Sequence, residues 1–94
     1  MPRHALRTDD VQKPIVDALR KAGVAVYVLG LPLDLLCAVR DPGGSWRHVL
    51  LECKDDDGRL TKTQAEFMAE WPGEFHIVRS PSEALKACFG DSMR

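Results

Sequence analysis

The chain reads as an α/β domain, one mixed four-stranded sheet flanked by helices. Two observations predict this. Apolar residues recur at helical spacing in three segments, and four short apolar runs lie between turn signals, in the order helix, three strands, helix, strand, helix. A three-stranded meander followed by a helical crossover makes a sheet of mixed direction. With 94 residues there is room for one domain and one core.

Each element has a local cause. Residues 1–8 are expected to form an arm. A helix is predicted from about Asp9, with Ile15, Val16, Leu19 and Ala22 as its apolar stripe and Asp10, Lys13, Asp17, Arg20 and Lys21 as its wet face. Pro14 lacks an N–H, so the first turn is expected close to it, or a kink there. Gly23 closes the helix. Val24–Leu29 is β-branched and apolar, a strand. Gly30-Leu31-Pro32 then turns the chain into a second strand over Leu33–Arg40. Asp41-Pro42-Gly43-Gly44-Ser45 is a strong turn signal, which makes the second and third strands a hairpin. The third strand, Trp46–Lys54, places Trp46, His48, Leu50, Glu52 and Lys54 on one face and Arg47, Val49, Leu51 and Cys53 on the other.

Asp55-Asp56-Asp57-Gly58-Arg59 is a polar loop. Thr61 with Gln64 forms a capping box that opens a helix running to Trp71, where Pro72-Gly73 stops it. Phe75–Val78 is the fourth strand. Ser80-Pro81-Ser82-Glu83 is a second capping box with proline at the first helical position. Ala84, Leu85, Cys88 and Phe89 make that helix's apolar stripe, and Gly90 ends it.

The composition, 45% apolar and 29% charged, is that of an ordinary globular chain. No apolar run approaches the roughly 20 residues of a membrane span, so no membrane association is expected. The basic N-terminus has no hydrophobic stretch behind it, which argues against a signal peptide. Three cysteines in apolar patterns favour free thiols and a reducing, cytoplasmic setting. The net charge of −1 lacks the basic surplus of a dedicated nucleic-acid-binding module. That balance weighs less against an enzyme whose acids are neutralised by bound cations.

The chemistry concentrates at Leu50-Leu51-Glu52-Cys53-Lys54. Residues i and i+2 of a strand share a face, so Glu52 and Lys54 project side by side. Asp34 sits at the start of the neighbouring strand. Carboxylates in apolar surroundings need partners. Two carboxylates from adjacent strands, with the Cys53 carbonyl as a third oxygen, suit Mg²⁺ or Mn²⁺ and leave room for water. Lys54 would orient or help deprotonate that water, or stabilise developing charge, in phosphodiester hydrolysis. Gln12 and Gln64 extend the apolar stripes of their helices, and Asp9 lies on the same side as Gln12, so both helices would bring polar groups to the sheet. Arg59 and Lys62 are candidates to grip a phosphate.

These residues resemble the PD-(D/E)XK nuclease superfamily, especially its small members related to VRR-NUC domains and Holliday-junction resolvases. The resemblance spans about Asp9 to Leu85. It rests on Asp9 and Gln12 in the first helix, Asp34, Glu52-Cys53-Lys54, and Leu60-Thr61-Lys62-Thr63-Gln64 opening the second helix. It implies a restriction-endonuclease-like αβββαβ core with an extra C-terminal helix. It also implies Asp34 and Glu52 as metal ligands, Lys54 as the catalytic lysine, Gln64 as a contact to that lysine or the substrate, and Asp9 as the first-helix acid. The implied substrate is DNA, with RNA also admitted and branched or flapped structures included, cut to leave a 5′-phosphate. Two departures stand out: Pro32 lies one place too early for the family's Pro-Asp pair, and Asp9 replaces a longer glutamate. So small a surface would read a target better as a homodimer or within a larger assembly.

Structural readings stand beside each of these. Glu-x-Lys at a strand end is also what a surface ion pair looks like. The capping box accounts for Gln64 without catalysis, and Asp9 suits an N-cap. Placing Gly58 at the sixth position of a calcium loop puts Cys53 and Gln64 where acids are required, so that reading fails. His48 lies roughly 13 Å along the strand from Glu52, too far to join it. His76, Trp46, Trp71 and the cysteines are expected in packing or interface roles. The alternative function is a non-catalytic nucleic-acid- or protein-binding module on the same fold; a further one is a structural or regulatory α/β domain.

Overall fold

The computed structural model of the protein describes residues 2–90, with side chains from residue 10 onward. Three helices and four strands alternate as α1 (Pro2–Lys21), β1 (Ala25–Val28), β2 (Leu35–Arg40), β3 (Trp46–Cys53), α2 (Lys62–Glu70), β4 (Phe75–Val78) and α3 (Pro81–Phe89). The sheet order is β1-β2-β3-β4. The first three strands pair antiparallel, and β3 pairs parallel with β4 across the α2 crossover. The expected order of elements and the mixed sheet are both present.

Turn chemistry sets the hairpin. Asp41 Oδ1 accepts the Ser45 N–H at 3.1 Å, and Gly44, at φ 91°, supplies the left-handed residue the reversal needs. The resulting register places Leu35 opposite Leu51 and Cys37 opposite Val49. Period-2 alternation then sorts the side chains. Leu35, Cys37, Val39, Val49, Leu51 and Cys53 face one side, where Ile15, Val16 and Leu19 of α1 and Ala84 and Cys88 of α3 cover them. Leu36, Leu50 and Glu52 face the other side, which is overlain by α2 alone.

Several details depart from the sequence reading. Helix α1 begins at Pro2 rather than near Asp9, and Pro14 sits well inside it. Pro14 is on the exposed side, where water can satisfy the Asp10 carbonyl that its missing N–H leaves open. The Ser80 hydroxyl caps α3 by accepting the Glu83 N–H, but the Glu83 carboxylate accepts from Arg79, one residue before the cap. Trp46 and Trp71 are half exposed and lie outside the core. His76 is half-buried and paired with Glu74 at 2.9 Å. Among the described residues, no helix is long and apolar enough to cross a membrane.

The two faces carry unequal shares of stability. Leu19→Ala is expected to cost about 2–5 kcal/mol, the range for emptying a packed core position. Helix α2 has no buried residue, so Met68→Ala should cost less than about 1.5 kcal/mol. Urea unfolding of the two variants checks this, and similar losses would contradict the asymmetry.

Candidate active site

Four side chains meet at the end of the β2–β3 pair. Leu35 pairs with Leu51, so Asp34, just before β2, falls beside Glu52. Each carboxylate accepts a backbone or side-chain donor brought by the other strand. Asp34 Oδ2 accepts the Cys53 N–H at 2.8 Å, and Glu52 Oε1 accepts the Asp34 N–H at 3.2 Å. Glu52 Oε2 lies 3.1 Å from Lys54 Nζ and accepts from Gln64 Nε2 at 2.6 Å. Glu52 is only 2% exposed, so its charge stands out of water and depends on these donors. Among the described residues, no buried side-chain polar atom is without a hydrogen-bond partner.

Gln64 forms the capping box, and its side chain contacts Glu52 where the resemblance implied a contact to Lys54 or the substrate. Its Oε1 accepts the Thr61 N–H at 3.0 Å and its backbone N–H donates to the Thr61 hydroxyl at 3.1 Å, completing the capping box. The amide's other end, Nε2, is then aimed at Glu52. The cap holds the rotamer that reaches the site.

Lys54 is positioned by the loop after it. A Cβ at Gly58 would lie 3.2 Å from Lys54 Cβ and Cδ and 3.1 Å from Asp55 Oδ1, so the loop packs closely over the lysine stem and a larger residue there would push on it. Arg79 Nη1 pins this loop by donating to the carbonyls of Asp55 and Gly58. Gly58 and Arg79 thus shape the site although sequence reading assigned them no part. The loop's density of acids concealed Gly58, and Arg79 carried no local signal at all.

The other candidates sit apart from this cluster. Gln12 borders a surface depression with Lys13, Val16, Asp17, Arg20 and Val28, and makes no hydrogen bond to Asp34, Glu52, Lys54 or Gln64 among the described residues. The Asp9 side chain lies outside the described residues. Arg59 and Lys62 are exposed, and Lys62 Nζ is 3.5 Å from Glu66 in an i,i+4 pair. Arg47 and Glu74 form a separate bidentate ion pair, at 2.8 and 3.3 Å, whose guanidinium holds the Glu74 carboxyl below the usual range.

The donor set is hard oxygen. The Cys53 thiol is pushed up to about 12, by burial and then by the two carboxylates, so it stays protonated and offers no soft thiolate. No group of three or more His, Cys, Asp or Glu side chains suited to a metal occurs among the described residues. Two carboxylates without a full protein cage match the way Mg²⁺ is held, with water and substrate oxygens completing its shell. Glu52 Oε2 has both lone pairs engaged by Lys54 and Gln64, whereas Glu52 Oε1 and Asp34 Oδ2 each accept one donor and keep a second lone pair for a cation. No protein-family model, curated protein or solved structure matches this chain.

Burial raises the Asp34 carboxyl above its ordinary value; the Glu52 charge adds to this, while the Cys53 N–H and Lys54 oppose it. The folded state therefore holds this proton more tightly than the unfolded chain does. Its contribution to stability falls as pH rises through the folded pKa, so ionised Asp34 costs stability at neutral pH. Asp34→Asn keeps an oxygen for the Cys53 N–H. It is expected to raise the urea midpoint in metal-free buffer at pH 7, with the gain shrinking in acid. Equal midpoints at pH 7 would rule this out.

Proposed function

We propose that this protein is a divalent-metal-dependent nuclease that hydrolyses nucleic-acid phosphodiesters, a small member of the PD-(D/E)XK class acting on DNA. The observation that carries the reading is the convergence of Asp34, Glu52 and Lys54, with the lysine amine 3.1 Å from a carboxylate buried at the end of a central strand. The αβββαβ order and the Gln64 contact from the second helix add to the resemblance described above. Mg²⁺ or Mn²⁺ would be held by Asp34 and Glu52 with the Cys53 carbonyl. A cation bound there polarises the phosphoryl oxygen and lowers the pKa of water.

The remaining steps belong to the chain. Gln64 fixes the Glu52 carboxylate, and Glu52 in turn holds the Lys54 amine beside the position of the scissile phosphate. Lys54 orients the attacking water and offsets charge accumulating on the phosphoryl oxygens. Arg59 and Lys62, exposed on the loop and helix that follow, hold neighbouring phosphates. A homodimer or larger assembly would enlarge the contact surface for a branched substrate. Three buried free cysteines agree with a reducing, cytoplasmic setting.

A second reading, a non-catalytic binding module, is favoured by the closure of the network: both Glu52 oxygens already accept hydrogen bonds. Metal dependence separates the two. Linear, nicked, single-stranded and four-way-junction DNA are incubated with the protein, with and without Mn²⁺. Cleavage is expected only with metal, and Lys54→Ala should slow it roughly 10²–10⁴-fold. Calorimetry should show Mn²⁺ binding that Asp34→Asn loses. No cleavage of any substrate, with the same Mn²⁺ heat from both proteins, would refute the nuclease reading.

A further inference from the structure

Helix α2 runs back across the open face of the sheet from the Glu52–Gln64 contact. Between it and the sheet lies a cavity of about 490 Å³, bounded among others by Leu36, His48, Leu50, Phe67, Trp71 and Glu74. Leu50 is two residues from Glu52 on the same strand face, roughly 7 Å along it. Phe67 is three residues from Gln64, one turn along the same helix face. The cavity therefore lies along the same strand and helix faces as the carboxylate cluster, one strand repeat and one helical turn away from it.

Its lining is built for a flat ring. Phe67 and Trp71 stack with centroids 5.4 Å apart and planes 22° from parallel. The indole lies against the backbone at Gly73, where a Cβ would fall 2.7 Å from Trp71 Nε1, so glycine is what lets the ring settle there. The charged group at the rim, Glu74, is paired with Arg47 and hydrogen-bonded to His76. An aromatic, apolar cavity whose rim carboxylate is already paired suits a neutral planar group better than a phosphate.

We infer that this cavity receives an unpaired nucleobase of the strand whose phosphate lies at Asp34, Glu52 and Lys54. The inference rests on the nuclease reading and narrows its substrate to DNA with a single-stranded nucleotide at the cut, such as a flap or a splayed junction. A base in an intact duplex stays in its stack and cannot enter without being flipped out. The rival occupant of such a face is a second copy of this chain.

The test uses Trp46→Phe protein, in which Trp71 is the single indole, and measures binding without metal. A short single-stranded oligothymidylate is compared with an abasic strand of the same length and with a blunt duplex. The thymidylate is expected to quench Trp71, and the abasic strand to leave its emission unchanged. Trp71→Ala should weaken binding of the thymidylate roughly 5- to 150-fold, as for loss of one stacked base, with Trp71→Phe retaining most of the affinity and duplex binding unaltered. Equal binding of the abasic strand, or no effect of Trp71→Ala, overturns the inference. So does Trp71 emission that changes with protein concentration alongside a monomer–dimer equilibrium in sedimentation. Base-dependent quenching by a protein that cleaves nothing would keep the pocket and refute the nuclease; metal-dependent cleavage with Trp71→Ala equal to wild type would do the reverse.

Discussion

A carboxylate with almost no access to water is the constraint on which the rest of this molecule turns. Glu52 is 2% exposed, and a lone charge in that position would cost several kcal/mol. Three donors from three places in the chain make its burial tolerable: the Asp34 amide, the Lys54 amine and the Gln64 side chain. Each requires a separate feature of the fold. The β2–β3 register brings Asp34 alongside, the Gly58 loop presses on the Lys54 stem, and the Thr61 cap aims Gln64.

The sheet divides its labour by face. One face is sealed by α1 and α3 and contains the packed aliphatic and cysteine core. The other keeps a buried charge at one end and an aromatic cavity along the remainder, beneath a helix with no buried residue. Stability and chemistry thus use opposite sides of the same strands. The Asp34 carboxyl, raised first by burial and then by the Glu52 charge, is a cost the opposite face can offset.

Much of this was legible before any coordinates. The alternation in β2 and β3, the Asp41–Ser45 turn and the Thr61–Gln64 cap are local patterns, and each appears where its chemistry predicts. The pairing of Asp34 with Glu52 and Lys54 followed from two strands and one hairpin. Other features were not legible. Pro14 is tolerated in α1 because it faces water, a property of how the helix packs. Composition left Trp46 and Trp71 open between core and interface, and only the fold places them outside the core, half exposed. Glu83 bonds Arg79 instead of the cap residue.

The difference has a physical origin. Hydrogen bonds and dihedral preferences within a few residues are written into neighbouring side chains, and so the strands, turns and caps can be read in a line of letters. Burial is a property of elements that meet from distant parts of the chain. Arg79 holding the loop 55–58, the glycine at 73 admitting an indole, and a second face of the sheet covered by α2 with a cavity beneath it all arise through space. They take form only once α2 has crossed back over β3.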